Sequence, residues 1–199
     1  MKYPAFFNQV EKIVLHDPIS EFLGVFEDGM IEFSYLDVVK TAGHSCPTVA
    51  GAYLVCLRAL KHLYPNSIPQ RGGIRIEVKD RFADGVTGVI ATVFSQITGA
   101  TEIAGFKGIA GQFVRHSLMD FDADIDGQYH FTRLDTGASV MLNYQAAIPI
   151  DPRQQNLMQK SIMGKASEEE KELFGQLWQE RVRAILIDMP NNENIIQLY

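Results

Sequence analysis

The stretch Thr41-Ala42-Gly43-His44-Ser45-Cys46-Pro47 joins two predicted helices and places an imidazole and a thiol two positions apart. Gly43 is typical of the left-handed residue that ends a helix, and Pro47 is favoured in the first turn of the next one. Cys46 therefore lies at a predicted helix start, where the positive end of the helix dipole favours a thiolate. A thiolate beside a histidine is typical of a soft metal site or of a cysteine nucleophile.

Helical patterns flank this corner on both sides. Upstream, Ser34 and Asp37 have the spacing of a capping box, which predicts a short helix through Lys40. Downstream, residues 48–64 have apolar side chains on one stripe and small residues on another side, as in a helix that packs against other elements. Cys56 lies on the apolar stripe, and we expect it to be a core residue.

Three further stretches predict strands. Residues 22–35 are expected to form a hairpin around the turn at 27–29, and residues 129–144 a second hairpin around the turn at 135–137. Residues 72–79 alternate apolar and polar side chains, which is typical of a half-buried strand.

Asp84 precedes a long apolar segment and is expected to cap a helix over residues 85–97. That segment is rich in β-branched residues, so a strand is the alternative. Helices interspersed with short hairpins favour an α+β fold, in which a mixed or antiparallel sheet packs against helices.

The chain is predicted to have two parts, a core over residues 1–150 and a C-terminal arm with an amphipathic helix over residues 151–199. Residues 151–165 are polar and are expected to form a linker or arm. Ser167 and Glu170 have the spacing of a second capping box, which predicts the amphipathic helix.

Composition excludes several classes of protein. The 199 residues include 18 Lys and Arg against 24 Asp and Glu, a net charge of -6, whereas a duplex nucleic-acid binder needs a basic surface. No apolar segment approaches the roughly 20 residues that span a membrane, and the first residues show no signal peptide. With two cysteines and no CxxC motif, we expect a cytoplasmic protein without disulfides or zinc fingers.

A metal site at the corner needs more ligands than His44 and Cys46 provide. Zinc and other borderline or soft divalent metals suit this pair. The candidates for the remaining positions are acids and histidines elsewhere in the chain: Asp84, His116, His16 and His130. The structural alternative is a buried cysteine beside a histidine that caps the corner.

Glycines recur at every third residue from Gly105 to Gly111, with Lys107 among them. Backbone N–H groups in such a loop suit an anion, so Lys107 and Arg115 are the candidate residues for a cofactor or anionic ligand. A close-packed loop is the alternative, because the segment has neither the dinucleotide-binding nor the Walker pattern.

The Gly-His-x-Cys-Pro core, the small-residue helix after it, Asp84, the turn at Thr98-Gly99 and the Gly-Phe-Lys-Gly segment together resemble the FmdE family, which takes its name from a component of formylmethanofuran dehydrogenase. The resemblance covers residues 35–145. It implies an α+β core that forms an intertwined homodimer, with a metal, usually zinc, near His44 and Cys46.

The chain also departs from this family's pattern. Ala100 stands where many members have a cysteine, which removes a possible thiolate ligand or redox partner. The C-terminal zinc finger of some members is absent as well. The resemblance implies no settled activity, because a likeness of fold does not transfer function.

The leading hypothesis is a cytoplasmic, homodimeric metal-binding protein. His44 and Cys46 are its predicted metal ligands, His116 or Asp84 completes or orients the metal shell, and Cys46 and Asp84 are the candidate catalytic residues. A small anionic or carbonyl-bearing molecule would occupy the open position, where a metal-bound water acts. Two alternatives stay open: a non-enzymatic metal-sensing or accessory protein that acts through its dimer surface and the helix from Ser167, and a metal-free enzyme in which His44 or His116 activates Cys46.

Overall fold

The structure, a computed structural model, describes all 199 residues. It contains six α-helices: α1 (Pro18–Phe22), α2 (Tyr35–Ala42), α3 (Pro47–Leu63), α4 (Thr87–Thr98), α5 (Pro152–Ile162) and α6 (Glu168–Arg183). It also contains seven strands: β1 (Ile13–His16), β2 (Met30–Phe33), β3 (Ile74–Val78), β4 (Met119–Asp120), β5 (Tyr129–Arg133), β6 (Ser139–Tyr144) and β7 (Ile196–Leu198). None of the helices is both long enough and apolar enough to cross a membrane.

The strands form two sheets. β1 and β2 make an antiparallel pair, and the other five strands form a sheet in the order β4-β3-β5-β6-β7. Within that sheet β3 and β4 run parallel, whereas the remaining neighbours run antiparallel. Helices and a mixed sheet therefore occur together, which confirms the predicted α+β class. The predicted hairpin over residues 129–144 is also confirmed, as β5 and β6.

Helix α3 is the centre of the core. Its apolar stripe and its small-residue side are both buried, so other elements surround it along most of its length. Cys56 is fully buried there, as predicted. The Tyr53 hydroxyl, 2.7 Å from the Glu11 carbonyl oxygen and 3.0 Å from that of Phe33, ties this helix to the N-terminal segment and to β2. The helix thus provides a rigid base for the corner at its start.

Local capping signals correctly predict helix ends. The Ser34 side chain accepts a hydrogen bond from the Asp37 backbone N–H, and the Asp37 carboxylate accepts one from the Ser34 N–H, which forms the capping box of α2. Gly43 ends this helix with a φ of 75°, in the left-handed region that glycine adopts without strain. The second capping box, of Ser167 and Glu170, begins α6.

The predicted hairpin over residues 22–35 is wrong in its pairing. β2 pairs with β1, not with the segment at Val25-Phe26, whose side chains are both exposed. Asp28 has a φ of 51° within the short turn that precedes β2. The buried side chains of Ile13 and Leu15 explain the preference, because pairing with β1 buries a shared apolar surface.

The helix expected after Asp84 exists, which decides against the strand alternative, but Asp84 does not cap it. α4 begins at Thr87, and the residue at its cap position is Val86. Asp84 contributes only its backbone carbonyl, which accepts the Thr87 N–H at 3.0 Å. Gly85 lies between Asp84 and the helix and has a φ of 51°. Because of this left-handed turn, Asp84 does not occupy the cap position of α4.

Residues 151–165 are predicted to form a linker or arm, but most of them form a helix. Asp151 accepts a hydrogen bond from the Arg153 N–H and Pro152 occupies the first turn, which is a favourable start for α5. Leu157 on this helix is buried. The C-terminal residues then return to the main sheet as β7, where Ile196 is buried. The division at residue 150 stays a prediction, although packing continues across it.

Candidate functional site: the histidine–cysteine corner and two cavities

Ser45 anchors the turn between α2 and α3. Its hydroxyl lies 3.0 Å from the Tyr35 hydroxyl and donates a hydrogen bond of 3.0 Å to the Gln179 side-chain oxygen. Its carbonyl accepts hydrogen bonds from the Trp178 indole at 2.9 Å and from the Gln179 amide at 3.2 Å. Helix α6 therefore packs on the corner, and the residues on either side of Ser45 have little freedom to move.

His44 is exposed, and one of its ring nitrogens is engaged. Nδ1 lies 2.9 Å from the backbone oxygen of Ala42. A carbonyl oxygen can only accept, so Nδ1 carries the proton and the neutral ring presents the lone pair of Nε2. A hydrogen bond of this kind to a backbone carbonyl is typical of metal-binding histidines, because it fixes the tautomer and the ring orientation.

Cys46 is partly buried at the start of α3. Its Sγ accepts the Val49 backbone N–H at 3.5 Å, as expected of a residue that caps a helix N-terminus. Two phenols are close by, and burial raises the pKa of both Tyr35 and Tyr144, with a smaller contribution from the nearby Cys46. Both tyrosines are therefore neutral hydrogen-bond donors at physiological pH. The Tyr144 hydroxyl donates to the Pro47 carbonyl at 2.6 Å.

The remaining predicted metal ligands do not form a cluster at this corner. No group of three or more His, Cys, Asp or Glu side chains is placed to bind a metal ion. His116 is partly buried, and its Nδ1 lies 3.0 Å from the Ser117 hydroxyl. Asp84 is exposed on the loop before α4. The corner itself thus contains two of the candidate ligands, His44 and Cys46.

The other two candidate histidines are paired with carboxylates. His16 Nε2 lies 2.8 Å from Glu21, and His130 Nδ1 lies 2.8 Å from Glu77 across β3 and β5. The position of each of these two histidine rings is explained by its contact with a nearby carboxylate.

A cavity of about 600 Å³ lies between α4 and the loop over residues 101–105. Thr41, three residues before His44, forms part of its wall. Phe82 and Phe121 meet there edge to face, with ring centroids 5.1 Å apart. Its size and its aromatic wall are typical of a small-molecule site.

Two polar groups of this cavity, on Gln96 and Glu102, are free hydrogen-bond acceptors. The Gln96 amide nitrogen donates to the Asp37 carbonyl at 3.1 Å, which orients the amide and leaves its buried oxygen without a partner. Glu102 is exposed at the cavity wall and forms no ion pair. An occupant with N–H or O–H donors would satisfy both groups, whereas an anion would be repelled by Glu102.

Lys107 and Arg115, the residues predicted to bind an anion, lie in different surroundings. Lys107 is exposed and forms no ion pair. Arg115 is buried and donates to the Asp17 carboxylate at 2.7 Å. Asp17 also accepts from Arg71 at 2.9 Å, so two arginines share one buried aspartate.

Sequence reasoning missed both Asp17 and Arg71. Asp17 has one local signal, since Asp-Pro is a common start of a helix, and its side chain does cap α1. Arg71 has none, because its partners come from distant parts of the chain: Asp17 and the backbone oxygens of Gln96 and Ile97.

Comparison with known proteins supplies no family: the chain matches no protein-family model and no curated protein. The resemblance to the FmdE family therefore stays a prediction.

Proposed function

We propose that this protein binds a divalent transition-metal ion, zinc in the first place, through His44 Nε2 and the Cys46 thiolate. The observation that carries the proposal is the hydrogen bond from His44 Nδ1 to the Ala42 carbonyl, which presents the other ring nitrogen as a free ligand. The Cys46 sulfur accepts the Val49 N–H at the start of α3, and thiolate sulfur with imidazole nitrogen is a preferred zinc ligand set.

Two protein ligands leave at least two positions of a tetrahedral ion to be filled. Because no third ligand side chain is clustered with the pair, these positions fall to water, to a bound small molecule or to a second copy of the chain. Open positions are characteristic of catalytic rather than structural zinc sites. When bound, the metal would act as a Lewis acid toward a carbonyl or hydroxyl oxygen.

The small molecule served by this metal is proposed to occupy the 600 Å³ cavity. Thr41, in the last turn of α2, is the cavity residue nearest to the corner along the chain, and neither His44 nor Cys46 lines the cavity itself. The acceptors Gln96 and Glu102 favour a neutral or cationic molecule with N–H or O–H donors, and the Phe82–Phe121 pair favours a planar or apolar body. This differs from the anionic ligand expected from the sequence, because Glu102 adds negative charge to the wall.

Metal analysis of purified variants tests the proposal. The protein is equilibrated with Zn²⁺, dialysed, and assayed for zinc by mass spectrometry beside His44→Ala and Cys46→Ser. Both substitutions remove a ligand, so each is expected to lower zinc affinity by at least about tenfold. Circular dichroism confirms that the variants are folded.

Matched controls come from residues of the same type. His62 is exposed near the C-terminal end of α3, and Cys56 is fully buried in the core. His62→Ala and Cys56→Ala should retain the zinc content of the unchanged protein. Equal zinc content in all five proteins would reject the proposal.

The two alternatives receive less support. A metal-free cysteine enzyme needs a base on its thiol, yet neither His44 nor His116 hydrogen-bonds to Cys46. An accessory protein that uses α6 as its contact surface would present Trp178, whereas this indole is partly buried and bonded to Ser45.

A further inference from the structure

The second cavity, which we call the arginine cavity, shares no lining residue with the cavity described above. It has a volume of about 350 Å³, and both guanidinium groups line it. Its other walls include the backbone of Gly72 and the side chains of Phe113, Val114 and Leu134. It therefore combines positive charge with an apolar surface.

The two arginines differ in how well their donors are satisfied. Arg71 donates to Asp17 and to the backbone oxygens of Gln96 and Ile97, so each of its three nitrogens has a partner. Arg115 donates through Nη2 alone, and its Nε and Nη1 have no partner in the protein. Yet the Arg115 side chain is only 8% exposed. Neither nitrogen is completely shielded from solvent, so a ligand in the cavity can reach them.

Charge is unbalanced in the same place. Asp17 is the only carboxylate paired with either arginine, and its two oxygens are already shared between Arg71, Arg115 and the first turn of α1. Burial lowers the pKa of Arg115, and the charge of Arg71 acts in the same direction against the attraction of Asp17. One additional negative charge would relieve this excess.

The chain makes room for the Arg115 guanidinium. A Cβ atom at Gly72 would collide with Nη1, and one at Gly99 would lie 3.0 Å from it. Both glycines have a positive φ, a backbone conformation that glycine adopts without strain. Glycine at these two positions therefore provides both the turn of the backbone and the space for Nη1. The group is thus held at the cavity wall.

We propose that the arginine cavity binds a small organic carboxylate. Its carboxylate would accept a charge-assisted hydrogen bond from one of the two unpaired nitrogens of Arg115, Nε or Nη1. Its apolar part would lie against Phe113, Val114 and Leu134. The site is separate from the His44–Cys46 corner and does not depend on a metal.

Benzoate is the probe, and benzamide, which has the same shape without the charge, is its matched control. Isothermal titration at low ionic strength should show saturable binding of benzoate and none of benzamide. Inorganic phosphate is titrated as a third ligand. If phosphate binds and benzoate does not, the carboxylate assignment is rejected. If neither anion binds, the arginines have a structural role only, and the proposal is overturned.

Two variants locate the binding. Leu134 is half exposed at the cavity wall, so substitution there leaves the buried network intact. Leu134→Glu brings a negative charge to the cavity and should weaken benzoate binding by about tenfold or more, whereas Leu134→Gln should change it little. Equal binding by the two variants would place benzoate elsewhere and contradict the proposal. Unaltered benzoate binding by His44→Ala is expected, because this site is independent of the proposed metal.

Discussion

Asp17 illustrates how one residue can organise a large part of this structure. It follows β1, caps α1 through the backbone N–H groups of Ile19 and Ser20, and pairs with two arginines. Burial alone would raise the pKa of Asp17, but the hydrogen bond from Arg71 and the charge of Arg115 outweigh it and lower the pKa. The charged form of this carboxylate is therefore favoured more strongly in the folded protein than in the unfolded chain.

Substitution of Asp17 by Asn should destabilise the protein in a pH-dependent way. The buried Arg115 and the partly buried Arg71 would lose their partner, which costs about 3–5 kcal/mol at neutral pH. The unfolded-state pKa of an aspartate is about 3.9, so the Asp17 contribution is complete above that pH and is lost as the pH falls through the lower, folded-state pKa. Urea unfolding from pH 7 to pH 3 should therefore give a shallower acid loss in the variant.

The control for this prediction is Asp120→Asn. Asp120 is paired with Arg75, and both side chains are about half exposed, where a salt bridge contributes little. Its variant should follow the pH profile of the unchanged protein. Parallel profiles for Asp17→Asn and the unchanged protein would show that the buried pairs do not stabilise the fold.

At the scale of elements, helix α3 depends on close approach by β6. The Tyr144 ring lies directly on Gly51, so that a Cβ atom at this position would overlap the ring. The Tyr144 hydroxyl reaches the Pro47 carbonyl in the first turn of the same helix. The small residues of α3 are thus a packing surface that positions the strand beside the corner.

Two glycine-to-alanine substitutions in helices should have opposite effects. Gly51→Ala forces the Tyr144 ring to move and should destabilise the protein by about 1–3 kcal/mol. Gly175 lies exposed on α6 with no neighbour near the added methyl group, so Gly175→Ala should stabilise by about 0.5–1 kcal/mol. Both free energies of unfolding are measured in urea. Stabilisation by both substitutions would show that Tyr144 does not pack tightly on α3.

At the scale of the whole molecule, the C-terminal residues and the core share their packing. α6 bonds to the corner through Trp178, and Val182, Ile185 and Ile196 belong to the same buried cluster as α3 and the main sheet. β7 extends this sheet at β6. Such packing predicts that the two parts of the chain unfold together.

Trp178 is the single tryptophan, so its fluorescence reports on α6 and on the contact of this helix with the corner. In urea its transition should coincide with that of circular dichroism, as in a two-state protein. Ile196→Ala should shift both transitions together and lower stability by about 2–5 kcal/mol, because this side chain is 1% exposed. Gln197→Ala, on the exposed side of β7, should shift neither. An earlier fluorescence transition would instead indicate an independent C-terminal unit.

Sequence patterns are reliable where a structural feature depends on neighbouring residues. The capping boxes at Ser34 and Ser167 and the stop at Gly43 are predicted correctly, because a cap satisfies backbone groups within one helical turn. The apolar stripe of α3 is predicted for a similar reason, since its periodicity lies within one element. The turn-like residues at 27–29 are misleading, because they connect to a strand whose partner lies upstream.

The candidate sites also have some features that neighbouring residues predict and others that only tertiary contacts create. His44 and Cys46 are identified from their spacing and from the helix ends on either side, and the structure adds the Ala42 hydrogen bond that orients the imidazole. Arg115 is identified from the sequence only as a possible positive charge. The sequence contains no sign that it is buried against Asp17.

The amino-acid sequence by itself determined both ends of α2, the start of α6, the α+β class and the imidazole–thiol corner, because these depend on interactions between residues a few positions apart. The tertiary structure alone decided which strands pair and which charges share a cavity. Asp17 and Arg115 are separated by 98 positions, and the ion pair between them forms only when the packed core brings both segments together. Local preferences carry no information about such pairs, since the free energy that forms them comes from burial of the whole core.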